Sequence, residues 1–172
     1  MEEKWEGKVS TTLPSTKPHQ IWPLFKDFFN IHKYFPTLSN SYGVHGTNGE
    51  VGCIRVCVGS SRSFFQPKKD FDSKINGEEL VTLSKERLIA VDEVNKSLSY
   101  EIVESNIGLT SYVATVMISQ GGDDQGSEGC VIEWSFTVDP VQGLKYEDMV
   151  KKYEVSLLKM AKAMEDSLIT SS

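Results

Sequence analysis

The chain has 172 residues, of which 39% are hydrophobic and 24% charged, and this composition is typical of one globular domain that is large enough to bury a core. Its formal net charge is −6 and its basic residues form no stripe, which argues against a protein that binds nucleic acid through the phosphates. The first residues lack the apolar region of a signal peptide, and no apolar run reaches the roughly 18 residues that a membrane-spanning helix needs. We therefore expect a cytoplasmic protein with a single domain over residues 1–172, which neither binds nucleic acid nor inserts into a membrane.

The N-terminal segment predicts a strand followed by an interrupted helix. The run KWEGKVSTTLP alternates loosely between apolar and polar residues, as a strand does. Ser15 or Thr16 can cap the helix that follows, Pro18 suits its first turn, and apolar residues then recur at helical spacing. Because Pro23 removes a backbone donor, we expect a kink or a break near IWPLF and a second short helix in NIHKYFP.

From residue 38 onward the apolar residues recur with a period of two, which indicates strands. NSYGVHGTNGEVGCIRVCV predicts two strands joined by a hairpin at GTNGE. Residues 59–80 predict a long loop that is either mobile or functional. SKERLIAVDEV, KSLSYEIVES, LTSYVATVMIS and CVIEWSFTVDP predict four further strands, and a spacing of three or four between the apolar residues after VQG predicts a long C-terminal helix. This order predicts an α+β fold in which an antiparallel meander grips the last helix.

Alternation within the strands predicts which side chains face the core. Glu86 falls on the same face as Leu88 and Ala90, so a carboxylate is predicted on an apolar inner face. Three further strands contribute the other members of this face: Leu98, Tyr100 and Ile102; Tyr112, Ala114, Val116 and Ile118; Ile132, Trp134, Phe136 and Val138.

The direction of Arg55 stays open at this point, because both faces of its strand are compatible with burial. Arg55 shares one face with Cys53 and Cys57, and the opposite face carries only aliphatic residues. An inward Arg55 would pair with Glu86, since a buried charge is tolerated only when it is paired or hydrogen-bonded. The alternative is that either residue lies in water at an end of the sheet.

The cysteines and histidines predict neither disulfides nor a metal site. Three cysteines are an odd number in a chain without a secretory signal, and they form no CxxC motif. The three histidines have no partner at metal-ligand spacing. We therefore expect no metal and no cofactor, and we interpret Cys53 and Cys57 as small residues of the core or of a cavity wall.

Several segments resemble the lachrymatory factor synthase family of onion and related plants. These segments are KWEGKV, LPSTKPHQIWPLFKDFFNIHKYFPTL, VGCIRVCVG, KERLIAVDEVNKSLSYEIVES, YVATVMI and EWSF, and they occur in the order that the family has. The family belongs to the polyketide cyclase/dehydrase and lipid-transport group of the START-like, or helix-grip, superfamily. The resemblance implies a curved seven-stranded antiparallel sheet around the C-terminal helix, with two short helices over an internal cavity.

The resemblance also implies a set of site residues. Arg55 in VGCIR and Glu86 in KERL fall where the family has its proposed catalytic pair, and Tyr112 and Trp134 fall at positions that line its pocket. We therefore predict Arg55, Glu86 and Tyr112 as catalytic residues. The predicted ligand contacts are Leu88, Tyr100, Ile102, Trp134 and Phe136.

The reaction implied by the resemblance is the rearrangement of a small alkenyl sulfenic acid to a thial S-oxide. In that reaction Arg55 would orient the sulfenyl oxygen, Glu86 would move the proton, and Tyr112 would donate a hydrogen bond to the same oxygen. The pocket departs from the family, however, because a second pocket tyrosine falls at Ile102 and a tryptophan of the last helix falls near Ser156. The sequence therefore leaves open an isomerase of this type and a carrier or hormone receptor that binds a small apolar molecule.

Overall fold

The computed structural model describes residues 3–59, 81–121 and 129–170, and these residues form seven strands and three helices. In chain order the elements are β1 (Trp5–Leu13), α1 (Pro18–Lys26), a 3₁₀ helix (Phe28–Lys33), β2 (Leu38–His45), β3 (Ile54–Gly59), β4 (Thr82–Asp92), β5 (Ser97–Ser105), β6 (Val113–Gln120), β7 (Cys130–Val138) and α2 (Tyr146–Thr170). The predicted loop of residues 59–80 lies outside the described residues, apart from Gly59 at the end of β3.

The strands form one antiparallel sheet in the order β1-β7-β6-β5-β4-β3-β2. Consecutive strands from β2 to β7 are neighbours, and β1 pairs with β7. The inner face of this curved sheet packs on α2, whose buried residues recur every three or four positions: Met149, Tyr153, Ser156, Leu157, Met160, Ala161 and Met164. The predicted helix-grip fold, with its seven-stranded sheet and long C-terminal helix, is thereby confirmed. No helix in the described ranges is both long enough and apolar enough to cross a membrane.

The helix pair at the mouth of the sheet differs from its prediction in two details. α1 runs through Pro23 and ends at Lys26, and the break comes at Asp27, whose φ of −76° and ψ of 61° are not helical. The helix begins after Lys17 and not after Ser15 or Thr16, because the backbone N–H of Lys17 donates to Oε1 of Gln20 at 2.9 Å. The helix is therefore interrupted as predicted, but the break lies two residues after IWPLF, at Asp27, and not within that segment. We refer to α1 and the 3₁₀ helix together as the lid.

The loop between β2 and β3 holds the lid at this break. The Nδ2 atom of Asn48 donates to Oδ1 of Asp27 at 2.7 Å, and the Oδ1 atom of Asn48 accepts from the backbone N–H of Phe29 at 2.9 Å. Gly49 has a φ of +85°, and a Cβ atom added there would lie 2.8 Å from the carbonyl oxygen of Lys26. Only glycine therefore combines this backbone conformation with this close approach.

A register shift in β4 moves one residue that was predicted on the inner face to an exposed position. Leu88 pairs with Tyr100, whereas Ala90 pairs with Ser99, so β4 advances by two residues while β5 advances by one. Such a bulge interrupts the alternation of faces. Leu88 is fully buried and Ala90 is exposed, so the predicted inward direction of Ala90 was wrong.

Candidate functional site

A cavity of about 110 Å³ lies between the inner face of the sheet, the lid and α2. Most of its wall is aromatic or aliphatic, and the aromatic part consists of Phe25, Phe28, Phe35, Tyr100, Tyr112, Trp134 and Tyr153. The charged and polar part of the wall consists of Thr37, Arg55, Cys57, Thr82, Ser84 and Glu86. The cavity therefore combines a large apolar wall with a small group of polar side chains, as small-molecule sites do.

Arg55 and Glu86 form a buried ion pair on this wall. They lie directly opposite each other in the β3–β4 ladder, and they are 5% and 9% exposed. The Nε atom of Arg55 donates to Oε1 of Glu86 at 2.8 Å, and Nη2 lies 2.7 Å from the same oxygen. Arg55 therefore points inward, and its pairing explains how a carboxylate can lie on the apolar inner face of β4.

Further contacts fix both members of the pair. The Oε2 atom of Glu86 accepts from the Ser84 hydroxyl at 3.0 Å, and the Cys57 thiol lies 3.6 Å from Oε1. The Nη1 atom of Arg55 donates to the carbonyl oxygen of Phe28 in the lid at 3.0 Å. The Cζ atom of Arg55 lies 3.7 Å from the centre of the Phe28 ring and 4.9 Å from that of Tyr100. The guanidinium group thus contacts two aromatic rings, which favour a cation.

The buried environment changes the protonation chemistry around the pair. Burial acts to lower the pKa of Arg55, but attraction to its neighbours, of which Glu86 is the strongest, outweighs burial and raises the pKa. Burial also raises the pKa of the Cys57 thiol, and the charge of Glu86 raises it further. Arg55 is therefore a permanent cation, and Cys57 is a neutral thiol and not a nucleophilic thiolate at neutral pH.

A second polar group on the wall consists of buried tyrosines. The Tyr153 hydroxyl donates to the Tyr112 hydroxyl with an oxygen–oxygen distance of 2.6 Å. Burial raises the pKa of both side chains well above the ordinary tyrosine value, and the charge of Glu86 adds to the effect. Both phenols are therefore neutral hydrogen-bonding groups at neutral pH.

Six of the eight predicted site residues line the cavity: Arg55, Glu86, Tyr100, Ile102, Tyr112 and Trp134. The structure places Leu88 and Phe136 in the core and not on this wall. Phe136 stacks on Tyr112 and Tyr153, with ring centres 6.2 Å and 4.5 Å away. A ligand contact for Leu88 or Phe136 stays a prediction, and it requires the cavity to enlarge. Within the described residues, the buried Nε1 atom of Trp134 has no hydrogen-bond partner.

Sequence reasoning missed Tyr153, Ser84 and the Phe28 carbonyl. Tyr153 lies three residues before Ser156 on the buried stripe of α2, so the last helix does supply an aromatic side chain to the cavity, one turn earlier than the family pattern suggests. Helical spacing could have found it. Ser84 shares a strand face with Glu86, so alternation could have found it as well. A backbone carbonyl has no signal in the sequence.

Solved structures show a similar fold. The chain is similar to the protein XoxI from Bacillus cereus at 18% identity, with 96% of each chain covered and a TM-score of 0.64. It is also similar to the major latex-like protein 151 of Panax ginseng at 19% identity, with 95% of this chain and 97% of that one covered and TM-scores of 0.66 and 0.65 in two crystal structures. At this level of identity the similarity supports the fold alone.

The family comparison is more informative about function. A model of a family described as polyketide cyclase / dehydrase and lipid transport matches residues 4–165. That description and the cavity both support the binding of a small hydrophobic ligand. The chain belongs to the polyketide cyclase / dehydrase and lipid transport family.

Proposed function

We propose that the protein binds a small, largely apolar metabolite in the cavity and anchors its polar group at Arg55 and Glu86. The observation that carries this proposal is a buried ion pair on the wall of an otherwise apolar cavity. A buried ion pair is weak evidence for stability, because well-packed apolar residues can often replace it without loss. Its position beside a cavity supports a role in recognition or chemistry instead.

The volume of the cavity supports a small ligand. At about 110 Å³, it is close in size to the engineered cavity of about 150 Å³ that binds benzene in another protein. A lipid or a hormone of greater size would require the lid to move outward. We therefore propose a ligand of roughly the size of benzene.

We further propose that the protein is a cofactor-independent isomerase resembling lachrymatory factor synthase of plants. In the reaction, the O–H bond of an alkenyl sulfenic acid breaks and a C–H bond forms at the alkene carbon farther from sulfur. The C=C bond becomes C=S, so a thial S-oxide with the same atoms results. Arg55 would stabilise the charge on oxygen, Tyr112 would donate to that oxygen, and Glu86 would carry the proton. Its Oε2 atom is better placed for this than Oε1, which is already bound by two guanidinium nitrogens.

One observation favours a non-catalytic carrier or receptor as the alternative. Glu86 accepts from Arg55, Ser84 and Cys57, and these donors stabilise it as a fixed acceptor. In this alternative Arg55 and Glu86 would recognise a polar group of the ligand without moving a proton.

The decisive experiment measures thial S-oxide formed from enzymatically generated alkenyl sulfenic acid, with wild type and Glu86→Gln. The isomerase predicts product with wild type and its loss in Glu86→Gln. Glu101→Gln is the matched control, because Glu101 pairs with Arg87 outside the cavity, and it should keep full activity. A folded wild type that binds small apolar probes without forming product would favour the carrier. A wild type that binds no such probe would overturn both proposals.

A further inference from the structure

Tyr153 brings a hydroxyl group from the C-terminal helix to the cavity wall. Its side chain is 4% exposed, and its hydroxyl donates to Tyr112 at 2.6 Å. A phenol hydroxyl has one hydrogen to donate. One hydrogen bond between two phenols uses one of their two hydrogens, so the other is left for a different acceptor.

The surrounding rings hold Tyr153 in this orientation. Phe136 stacks on its ring with centres 4.5 Å apart and an angle of 28° between the planes. Trp134 lies perpendicular to it, with centres also 4.5 Å apart and an angle of 89°. With both rings in place, the Tyr153 hydroxyl is held in a fixed position opposite Tyr112.

The phenol rings continue toward the ion pair. The Tyr100 ring lies 6.3 Å from the Tyr112 ring, measured between ring centres. The Tyr100 ring is in turn 4.9 Å from Cζ of Arg55. Three phenols therefore lie in series between α2 and Arg55.

We propose that Tyr153 is a positioning residue that acts through Tyr112 and selects ligands with an uncharged oxygen acceptor beside Arg55. By donating to Tyr112, it directs the Tyr112 phenol hydrogen toward the polar end of the cavity, where a carbonyl or S-oxide oxygen can accept it. This inference rests on the proposed function and adds the chemical class of the ligand group.

The ion pair explains why the acceptor is uncharged. Glu86 already neutralises Arg55, and the three guanidinium nitrogens already have acceptors in Glu86 and the Phe28 carbonyl oxygen. An anionic ligand would therefore lose its hydration without gaining a free cation, whereas a neutral oxygen only accepts a phenol hydrogen.

The test compares two probes of equal shape, cyclopentanone and methylenecyclopentane, which differ by an oxygen in place of a CH₂ group. Their dissociation constants are measured by NMR titration for wild type, Tyr153→Phe, Tyr112→Phe and the double variant. Tyr153→Phe should weaken ketone binding roughly three- to tenfold, the equivalent of about one hydrogen bond, while binding of the alkene stays unchanged. The double variant should be little weaker than Tyr112→Phe alone, because both hydroxyls act through one path.

The control variant is Tyr146→Phe, which removes a hydroxyl that donates to the Glu6 carbonyl away from the cavity wall, and it should bind both probes as wild type does. Equal losses for ketone and alkene in Tyr153→Phe would mean a purely structural role and would overturn the inference. A Tyr153→Phe variant that prefers the ketone as strongly as wild type does would also overturn the inference. Either of these two results would leave the proposed function standing. A wild type that binds neither probe overturns the proposed function and the inference with it.

Discussion

Arg55 places two of its nitrogens within 2.8 Å of a single oxygen, Oε1, of Glu86. The other oxygen, Oε2, accepts from Ser84. The pair is therefore asymmetric, with one carboxylate oxygen committed to Arg55 and the other facing a weaker, neutral donor.

Removing Arg55 alone should destabilise the protein strongly. Arg55→Met leaves Glu86 buried without its partner, and such a change costs about 3–5 kcal/mol. The double variant Arg55→Met/Glu86→Gln leaves no buried charge, so its free energy of unfolding should be closer to that of wild type. Urea denaturation measures both values. If the double variant is as unstable as Arg55→Met, the packing of the guanidinium and not its charge is what stabilises the fold.

Stability should fall at alkaline pH because of the cavity tyrosines. Burial raises the pKa of Tyr112 and Tyr153 well above the ordinary value of about 10. The unfolded chain therefore loses these protons first as the pH rises, so the stabilisation is fully present below pH about 10 and decreases above it. Urea denaturation from about pH 8 to about pH 11, a range around the ordinary tyrosine pKa, measures the slope.

Tyrosinate absorbance provides an independent check of the same shift. Of the six tyrosines, those in the cavity should ionise only when the protein unfolds. Tyr112→Phe should make the loss of stability with pH less steep, whereas Tyr146→Phe should not. Ionisation of all tyrosines at their ordinary pKa in the folded protein would contradict the prediction.

Gly49→Ala should destabilise the attachment of the lid. The added Cβ would lie 2.8 Å from the Lys26 carbonyl oxygen, in a backbone conformation with φ of +85°. Gly143→Ala is the matched control, because Gly143 has a φ of +84° and nothing within 4 Å of an added Cβ. Gly143→Ala should cost about 1–2 kcal/mol for the backbone conformation, and Gly49→Ala should cost clearly more. If urea denaturation shows that both variants lose the same free energy of unfolding, the loop can move away from α1 at no energetic cost.

The contact of Glu93 with α1 should control how fast ligands enter. Oε2 of Glu93 accepts from Nε1 of Trp22, and Oε1 accepts from Nζ of Lys26, both at 2.7 Å. α1 carries Phe25 on the cavity wall, so Glu93→Gln should speed both association and dissociation of cyclopentanone with little change in its dissociation constant. NMR exchange rates measure this effect.

Glu104→Gln is the control for Glu93→Gln, since Glu104 also pairs with a lysine, Lys85, but at 3.5 Å on the surface of the sheet. It should leave the rates unchanged. Hydrogen bonds from Lys26 and then Trp22 lower the pKa of Glu93. The contact should therefore persist below the ordinary glutamate pKa and be lost as the pH falls through the lowered value. Rates that are insensitive to Glu93→Gln would show that ligands enter elsewhere.

Local patterns predicted most of the fold because each sheet face and helix stripe has its own period. Trp134 and Phe136 were placed inward by alternation alone, and both are buried. Alternation failed at Ala90, because a bulge is a tertiary feature of two paired strands. It could not orient Arg55, because Val56 on the opposite face is buried as well. The family resemblance implied an inward Arg55, and the structure shows the contacts with Glu86 on β4 and with the Phe28 carbonyl oxygen in the lid that hold it there.

The Arg55 bond to the Phe28 carbonyl has a consequence for protein engineering. Because one guanidinium group contacts both the sheet and the lid, we expect a substitution at Arg55 to alter ligand entry and ligand recognition together. Ile102 lines the same cavity from β5 without such a bond. Libraries that aim to alter the range of ligands are therefore better directed at Ile102, with Arg55 held constant.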